Sequence, residues 1–210
     1  MSSTDEAPAP VAQAVTGIAD PAPLGLAAFA LTTFLLSAVN AGWAKNSTGS
    51  DWLGYALGYG GLVQLMAGMW EFRNRNVFGS TAFSTYGGFW IGLGLWAVLV
   101  APHALSASAA GKDLGWILLS FAIFNTYMMI FSTQVNMAVF GVFLTLELTE
   151  IFLFIGNFAG NANLVKVGGY IGVLTALVAW YTSAAGVING MKGSIVLPVG
   201  KPLMAMGRTA

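Results

Sequence analysis

The chain contains 210 residues, of which 57% are hydrophobic and 8% are charged, and its eight basic and eight acidic residues cancel to a formal net charge of zero. Soluble domains carry about 25% charged residues, so this composition excludes an ordinary soluble domain and indicates an integral membrane protein. A neutral chain without a basic cluster also argues against a nucleic-acid partner, and a sequence without cysteine excludes disulfide bonds and thiol catalysis.

Long runs without Asp, Glu, Lys or Arg predict membrane-spanning helices, because a helix needs about 20 apolar residues to cross a bilayer. The run 114–146 is too long for one helix, and Ser132-Thr133-Gln134 offers a break within it. The runs are continuously apolar and do not alternate, which favours helices over a β-barrel. We therefore predict an all-α integral membrane protein with six transmembrane helices, near residues 24–44, 52–70, 85–101, 114–131, 136–155 and 168–188.

One transmembrane domain, residues 21–191, is expected between two tails. The tail 1–20 is rich in Pro and Ala, lacks the features of a cleavable signal peptide and is predicted to be disordered; residues 192–210 form the C-terminal tail. Six helices place both termini on one side of the membrane. The positive-inside rule favours the cytoplasm for that side of a multi-pass plasma-membrane protein. Five basic residues (Arg73, Arg75, Lys192, Lys201 and Arg208) fall there, against three on the other side (Lys45, Lys112 and Lys166).

The N-terminal tail meets the first apolar run at Asp20-Pro21-Ala22-Pro23-Leu24-Gly25-Leu26. A proline in the first helical turn loses no hydrogen bond, and Asp20 or Ala22 would occupy the cap position before a proline. The segment predicts a helix N-terminus at the membrane boundary. It is either an ordinary helix start or the mouth of a solute pathway.

Two acidic residues, Glu147 and Glu150, fall near the middle of the fifth predicted helix. An ionised carboxylate there costs about 2.5–3.5 kcal/mol on insertion scales. The two positions share a helix face, so burial and mutual repulsion favour protonation of at least one carboxyl. Two interpretations remain open: the pair carries protons for a transporter, or both groups are neutral and hydrogen-bonded to Thr145, Thr149 or another protomer.

No catalytic, metal or cofactor site is expected. His103 is the only histidine and lies in a loop, so a histidine metal cluster and a Ser/His/Asp triad both lack parts. The first five predicted helices contain no Lys or Arg, so an anionic solute would cross as the neutral acid or be stabilised by helix N-termini and amide or hydroxyl donors. The deep tryptophans, Trp90 among them, are expected to pack. The polar uncharged residues within the predicted helices are Thr32, Thr33, Ser37, Asn40, Gln64, Ser120, Asn125, Thr126, Thr175, Thr182 and Ser183.

Four stretches of the chain carry a family signature. Besides Asp20 to Leu26, they are Tyr59-Gly60-Gly61-Leu62-Val63-Gln64 before Ala67-Gly68-Met69-Trp70-Glu71, Asn76-Val77-Phe78-Gly79-Ser80-Thr81-Ala82-Phe83 before Tyr86-Gly87-Gly88-Phe89-Trp90, and Gly156-Asn157 and Gly160-Asn161 before Gly169-Tyr170-Ile171-Gly172. Together they resemble the acetate uptake transporter family, which includes bacterial succinate-acetate permeases and has the signature Asn-Pro-Ala-Pro-Leu-Gly-Leu. The resemblance covers about residues 20–190.

The resemblance implies a pore within each six-helix protomer, a ring of six protomers and a pathway for small monocarboxylates. It also implies that residues 20–26 lie at the pore mouth and that Phe29, Tyr86 and Leu146 form an apolar constriction. Ala179 would match a position linked to substrate size. Asp20 replaces the Asn of the signature and puts a negative charge near the mouth, and the two glutamates lie outside the family motifs.

We therefore expect this protein to transport acetate and related short-chain carboxylates with a proton, as a symporter or a channel. Its expected partners are the carboxylate, protons, the lipid bilayer and further copies of the chain, with Glu147 and Glu150 as candidates for proton coupling. No enzymatic activity is expected. Two alternatives remain: a channel for a neutral solute such as urea or ammonia, and a membrane sensor or scaffold with a vestigial pore.

Overall fold

The computed structural model describes residues 17–45 and 47–204, and this part of the chain is helical without any strand. The helices are α1 (Ala22–Asn40), α2 (Leu53–Leu57), α3 (Gln64–Arg73), α4 (Val77–Leu95), α5 (Ala107–Ser132), α6 (Met137–Ala159) and α7 (Ala162–Lys192). A π-helix, Gly58–Val63, joins α2 to α3, and a second π-helix (Trp96–Val100) and a 3-10 turn (Ala101–His103) extend α4.

The prediction of an all-α membrane protein is confirmed. Within the described residues, five helical segments are long and apolar enough to cross a membrane: α1, α4 with its extension to His103, α5, α6 and α7. The second predicted span corresponds to α2, the π-helix and α3, which follow one another without interruption from Leu53 to Arg73. The proposed disordered tail lies mostly outside the described residues, as do residues 205–210 of the C-terminal tail.

Three helices begin earlier than predicted, at 77, 107 and 162 in place of 85, 114 and 168. Each start has a side-chain cap: Asn76 Oδ1 accepts from Gly79 N at 3.0 Å, Ser106 Oγ accepts from Ala109 N at 3.1 Å, and Asn161 Oδ1 accepts from Asn163 N at 3.0 Å. Such caps satisfy backbone N–H groups that the first helical turn leaves free. Each of these helices therefore begins directly after a capping residue, and α5 and α7 extend beyond their uncharged runs to reach it.

Removing the cap of α5 is expected to lower stability modestly. Ser106→Ala deletes the acceptor for Ala109 N, a loss of about 1 kcal/mol, which corresponds to a fall in Tm of about 2–4 °C for a chain of this size. Thermal unfolding of the purified wild type and variant in detergent measures this fall in Tm. Ser108→Ala is the matched control, because Ser108 is an exposed serine in the first turn of α5. Equal Tm values for the two variants would contradict a capping role for Ser106.

Small residues on α7 allow close packing against both α1 and α6. A Cβ at Gly169 would lie against the backbone of Ala41 after α1, and one at Gly168 would lie 2.8 Å from Leu153 of α6. Near the other end of α7, Ser183 Oγ donates to Pro23 O at 2.6 Å. The start of α1 and the end of α7 therefore lie on the same face of the molecule, as an even number of spans requires.

We call this face the terminal face. It also contains the α3–α4 and α5–α6 connections, and the face at the other ends of the helices is the opposite face. Residues after α7 bind along the terminal face: Tyr181 Oη donates to Pro198 O at 2.6 Å, and Ala138 N donates to Val199 O at 2.9 Å. The segment after α7 thereby supplies an acceptor to the first turn of α6.

The π-helix packs against its neighbours through glycine. A Cβ at Gly60 would meet the side chain of Thr32 on α1, and one at Gly61 would lie 2.6 Å from Ile91 on α4. Glycine therefore lets this wider turn fit between two helices. Gln64 follows at the start of α3 and is almost completely buried.

Candidate functional site

The first cavity lies toward the terminal face and has a volume of about 90 Å³. Its wall is mainly apolar, and its polar side chains are the amides of Gln64 and Asn76 and the phenol of Tyr86. Gln64 Oε1 is buried and has no hydrogen-bond partner in the described part of the chain. The remaining lining residues are Ala22, Leu26, Phe29, Phe78, Gly79, Ala82, Phe83, Val135, Val139, Val142, Phe143 and Leu146.

The second cavity lies deeper and has a volume of about 40 Å³. It shares three lining residues with the first cavity: Phe29, Tyr86 and Leu146. All three are buried, and the rings of Phe29 and Tyr86 meet edge to face with centroids 5.8 Å apart. The structure thus brings together, between two cavities, the three side chains that the sequence assigned to a constriction. The other lining residues are Thr33, Leu36, Ser37, Asn40, Phe89, Trp90, Leu118, Thr149, Glu150 and Leu153.

Two further cavities continue toward the opposite face. The third, of about 100 Å³, shares Leu36, Asn40, Leu118 and Leu153 with the second. The fourth, of about 510 Å³, shares Asn40, Asn157 and Val165 with the third. It is lined by Ala107 at the start of α5 and by Asn161 just before α7, so it lies at the opposite face. The four cavities form a series across the helix bundle.

A hydrogen-bond network surrounds Tyr86. Its Oη donates to Asn125 Oδ1 at 2.9 Å and lies 3.4 Å from Glu150 Oε1. Asn125 Nδ2 donates to Phe143 O at 2.9 Å and to Glu147 Oε2 at 2.7 Å. Both acidic residues of α6 are therefore linked to the tyrosine at the proposed constriction, one directly and one through Asn125.

The two glutamates differ in their surroundings. Glu150 is buried and lines the second cavity, and its Oε2 has no hydrogen-bond partner among the residues that the structure describes. Glu147 is half-buried and accepts from the hydroxyl of Thr126, an exposed residue of α5, at 2.8 Å. Neither carboxyl bonds to Thr145 or Thr149, whose hydroxyls donate to backbone carbonyls of α6. Although the two side chains share a helix face, they reach different environments.

Some of residues 20–26 line the first cavity, and the others position α1. Of this segment, only Ala22 and Leu26 line the first cavity. Asp20 is exposed, and its Oδ1 accepts from Ala22 N at 3.0 Å, so the carboxylate stabilises the start of α1. Leu24 is 48% exposed, and a Cβ at Gly25 would lie 2.7 Å from the Phe83 ring. Most of the segment therefore positions α1.

Ala179 is completely buried but lines none of the four cavities. It belongs to the core cluster that also contains Phe29, Tyr86 and Leu146. The structure therefore does not bring Ala179 to the wall of the pathway.

Glu71 is a buried acidic residue to which sequence reasoning gave no role. It has no exposed surface, its Oε2 accepts from Asn74 Nδ2 at 3.1 Å, and its Oε1 has no partner within residues 17–45 and 47–204. A Cβ at Gly79, which lines the first cavity, would lie 2.7 Å from Glu71 Oε1. The sequence did contain a signal for Glu71, because this carboxylate ends an apolar run and two asparagines follow it within five residues.

Trp90 was expected from the sequence to pack in the core. In the structure it lines the second cavity.

Comparisons with known proteins agree with this architecture. The GPR1/FUN34/yaaH family profile matches residues 4–202. Acetate permease A of Emericella nidulans is 39% identical over 198 residues, which cover 86% of this chain and 65% of that protein. The succinate-acetate/proton symporter SatP of Escherichia coli K12 is 36% identical over 189 residues, which cover 89% of this chain and 97% of that protein.

A solved structure shares the fold. The structure of the bacterial acetate channel SatP matches with a TM-score of 0.81 and 34% identity, and the match covers 88% of this chain and all of that one. The chain therefore spans nearly the whole of the bacterial protein but less than two thirds of the fungal permease.

Proposed function

Because the chain belongs to the GPR1/FUN34/yaaH family, we propose that it carries acetate and related short-chain carboxylates across a membrane together with a proton. The observation that carries this proposal is the series of four cavities across the bundle, with Phe29, Tyr86 and Leu146 between the first and the second. An apolar constriction of this kind selects solutes by size and by dewetting. Residues 20–26 lie at the mouth, where Ala22 and Leu26 line the first cavity.

The cavity walls favour passage of the neutral acid. Of the residues described by the structure, no Lys, Arg or His lines any of the four cavities, so an anion would meet no countercharge from them. Moving an unpaired carboxylate from water into an apolar environment is far more costly than moving the protonated acid. Asp20 beside the mouth adds a negative charge that disfavours entry of the anion. Proton coupling then follows from transport of the acid together with its own proton.

The placement in the membrane and the assembly are part of the same proposal. The protein is a multi-pass transporter of the plasma membrane without enzymatic activity, and the terminal face lies in the cytoplasm. Its protomers associate, as a hexamer by family resemblance.

Glu147 supports this association. Its half-buried carboxyl lies beside the exposed Thr126 on the outer surface of the protomer. A second protomer would shield this carboxyl from lipid.

Uptake of labelled acetate into proteoliposomes tests the transport proposal. An inwardly directed proton gradient raises the concentration of neutral acid outside, so the initial rate is expected to rise about tenfold for each unit by which the external pH falls within the range where acetate is mostly ionised. Liposomes without protein give the background of acid that crosses the lipid. Excess propionate should compete, whereas urea should not. An initial rate equal to that of empty liposomes, with and without the gradient, would exclude acetate transport.

A further inference from the structure

We infer that the segment after α7, residues 194–204, sets the size selectivity of the pathway at the terminal face, and that Asn189 and Tyr181 hold this segment in position. We call the segment the strap. The inference rests on the proposed function, because it concerns which acids pass. It goes further by assigning selectivity to residues that line none of the four cavities.

Side chains of α7 hold the first half of the strap. Asn189, in the last turn of α7, accepts at Oδ1 from Val196 N at 2.7 Å and from Leu197 N at 3.0 Å, and its Nδ2 donates to Leu197 O at 2.9 Å. About two turns earlier, Tyr181 Oη donates to Pro198 O at 2.6 Å. Because one amide both accepts from and donates to the same stretch of backbone, the chain turns back along α7 after the helix ends.

The second half of the strap binds both ends of the α5–α6 connection. Thr133 O, just after α5, accepts from Leu203 N at 2.8 Å and from Met204 N at 3.2 Å. In the first turn of α6, Ala138 N donates to Val199 O at 2.9 Å. Carbonyl and N–H groups at helix ends lack partners within their own helices. The strap supplies these partners and thereby spans the connection from end to end.

Glycine lets the strap approach α6 closely. Gly200 has a φ of +75°, and a Cβ at this position would lie 2.5 Å from Cβ of Met137, the first residue of α6. Both the left-handed backbone and the short contact favour a residue without a side chain. Close packing therefore adds to the hydrogen bonds in fixing the strap against the start of α6.

The connection that the strap holds carries part of the first cavity's wall. Val135, in the middle of the connection, and Val139, in the first turn of α6, both line that cavity. Val135 is 38% exposed, and it also lines a cleft of about 410 Å³ between α4 and α5. Packing within the bundle thus leaves this side chain room to move, so the position of the wall at Val135 depends on the strap.

A wall of this kind selects solutes by size only while it stays in place. In an apolar pocket one methylene alters discrimination by about 10–200-fold. If the connection shifts toward the cleft, Val135 withdraws and the first cavity widens, so longer acids gain relative to acetate. Asn189 and Tyr181 are therefore positioning residues, which act on selectivity through the strap and Val135.

Removal of the bonds that hold the strap tests this role. Asn189→Ala deletes three bonds and Tyr181→Phe deletes one, so the ratio of butyrate to acetate uptake by proteoliposomes is expected to rise about tenfold and about threefold, respectively. Asn163→Ala and Tyr170→Phe are matched controls, because both residues are exposed and lie in the first third of α7, toward the opposite face. A loss of folded protein alone would lower both rates and leave their ratio unchanged.

The mobility of a spin label tests the strap independently of transport. The chain contains no cysteine, so Gln134→Cys places a single label on an exposed residue next to Val135. Adding Asn189→Ala is expected to narrow the electron paramagnetic resonance lines of this label, whereas adding Asn163→Ala should leave them unchanged. Equal line widths in the two double variants would overturn the inference.

The two measurements separate the inference from the proposed function. If the label becomes more mobile while Asn189→Ala and Tyr181→Phe keep the uptake ratios of their controls, the strap holds the connection without setting selectivity. The inference is then wrong and the proposed function stands. Absence of acetate uptake by the wild type would instead overturn the proposed function, and the selectivity role of the strap would fall with it.

Discussion

Replacing Leu146 by alanine is expected to raise the uptake of three-carbon acids relative to acetate by tenfold or more. Leu146 is one of the three side chains between the first and second cavities, and it is buried there with Phe29 and Tyr86. In an apolar pocket one methylene alters discrimination by about 10–200-fold. Truncation of the leucine removes three carbon atoms from the proposed constriction. Propionate and lactate uptake, each divided by acetate uptake in the same proteoliposomes, measure the change.

Leu153→Ala is the matched control for this experiment. Leu153 lies on the same helix and is equally buried, but it lines the second and third cavities and is not among the three residues of the proposed constriction. Both substitutions are expected to destabilise the protein by about 2–5 kcal/mol through loss of buried surface, so thermal unfolding checks that the two variants are comparably folded. Equal selectivity of Leu146→Ala and Leu153→Ala would contradict a constriction at Leu146.

Glu150→Leu is expected to lower kcat/KM for acetate uptake about a hundredfold, whereas Glu150→Gln should stay within about threefold of the wild type. Leucine removes one of the two partners of Tyr86 Oη and the polar group of residue 150 that lines the second cavity, and two hydrogen bonds of about 1–1.5 kcal/mol account for that loss. Glutamine keeps a polar group with two hydrogen-bonding atoms at this position. Initial rates over a range of acetate concentrations measure the effect.

The glutamine variant separates two roles for the pair of glutamates. If Glu150→Gln loses transport as completely as Glu150→Leu, Glu150 must release and take up a proton during transport. A carboxyl that stays protonated throughout would tolerate the glutamine. Glu147→Gln is the companion variant, because glutamine at 147 still accepts from Asn125 and is expected to retain transport. Loss of transport in Glu147→Gln alone would assign the proton to the half-buried carboxyl.

The sequence was a good guide to the spans, because a charge-free run of about 20 residues has few alternatives to a membrane helix. It was less exact at helix starts, where Asn76, Ser106 and Asn161 cap helices that begin before the predicted positions. A capping signal of this kind depends on one side chain and is easily missed beside a run of apolar residues.

The sequence identified the acidic residues of the site by their type, but it did not identify their hydrogen-bond partners. Glu147 and Glu150 were identified from the cost of a carboxylate in a membrane. Their partners are distant in the chain, with Tyr86 64 positions from Glu150 and Asn125 22 positions from Glu147, so spacing could not pair them. Trp90 was assigned to packing because a tryptophan in a helix usually packs. The unpartnered indole nitrogen is a property of the assembled cavity, which only the three-dimensional arrangement reveals.

The π-helix between α2 and α3 makes the number of residues in this region as important as their identity. Each residue of an α-helix advances its side chains by about 100° around the axis, and a π turn accommodates one residue more than an α turn. Deleting a single residue from Gly58–Val63 would restore a regular α-helix and turn Gln64 away from the first cavity. A one-residue deletion or insertion here would therefore change the pathway wall without altering any residue that lines it.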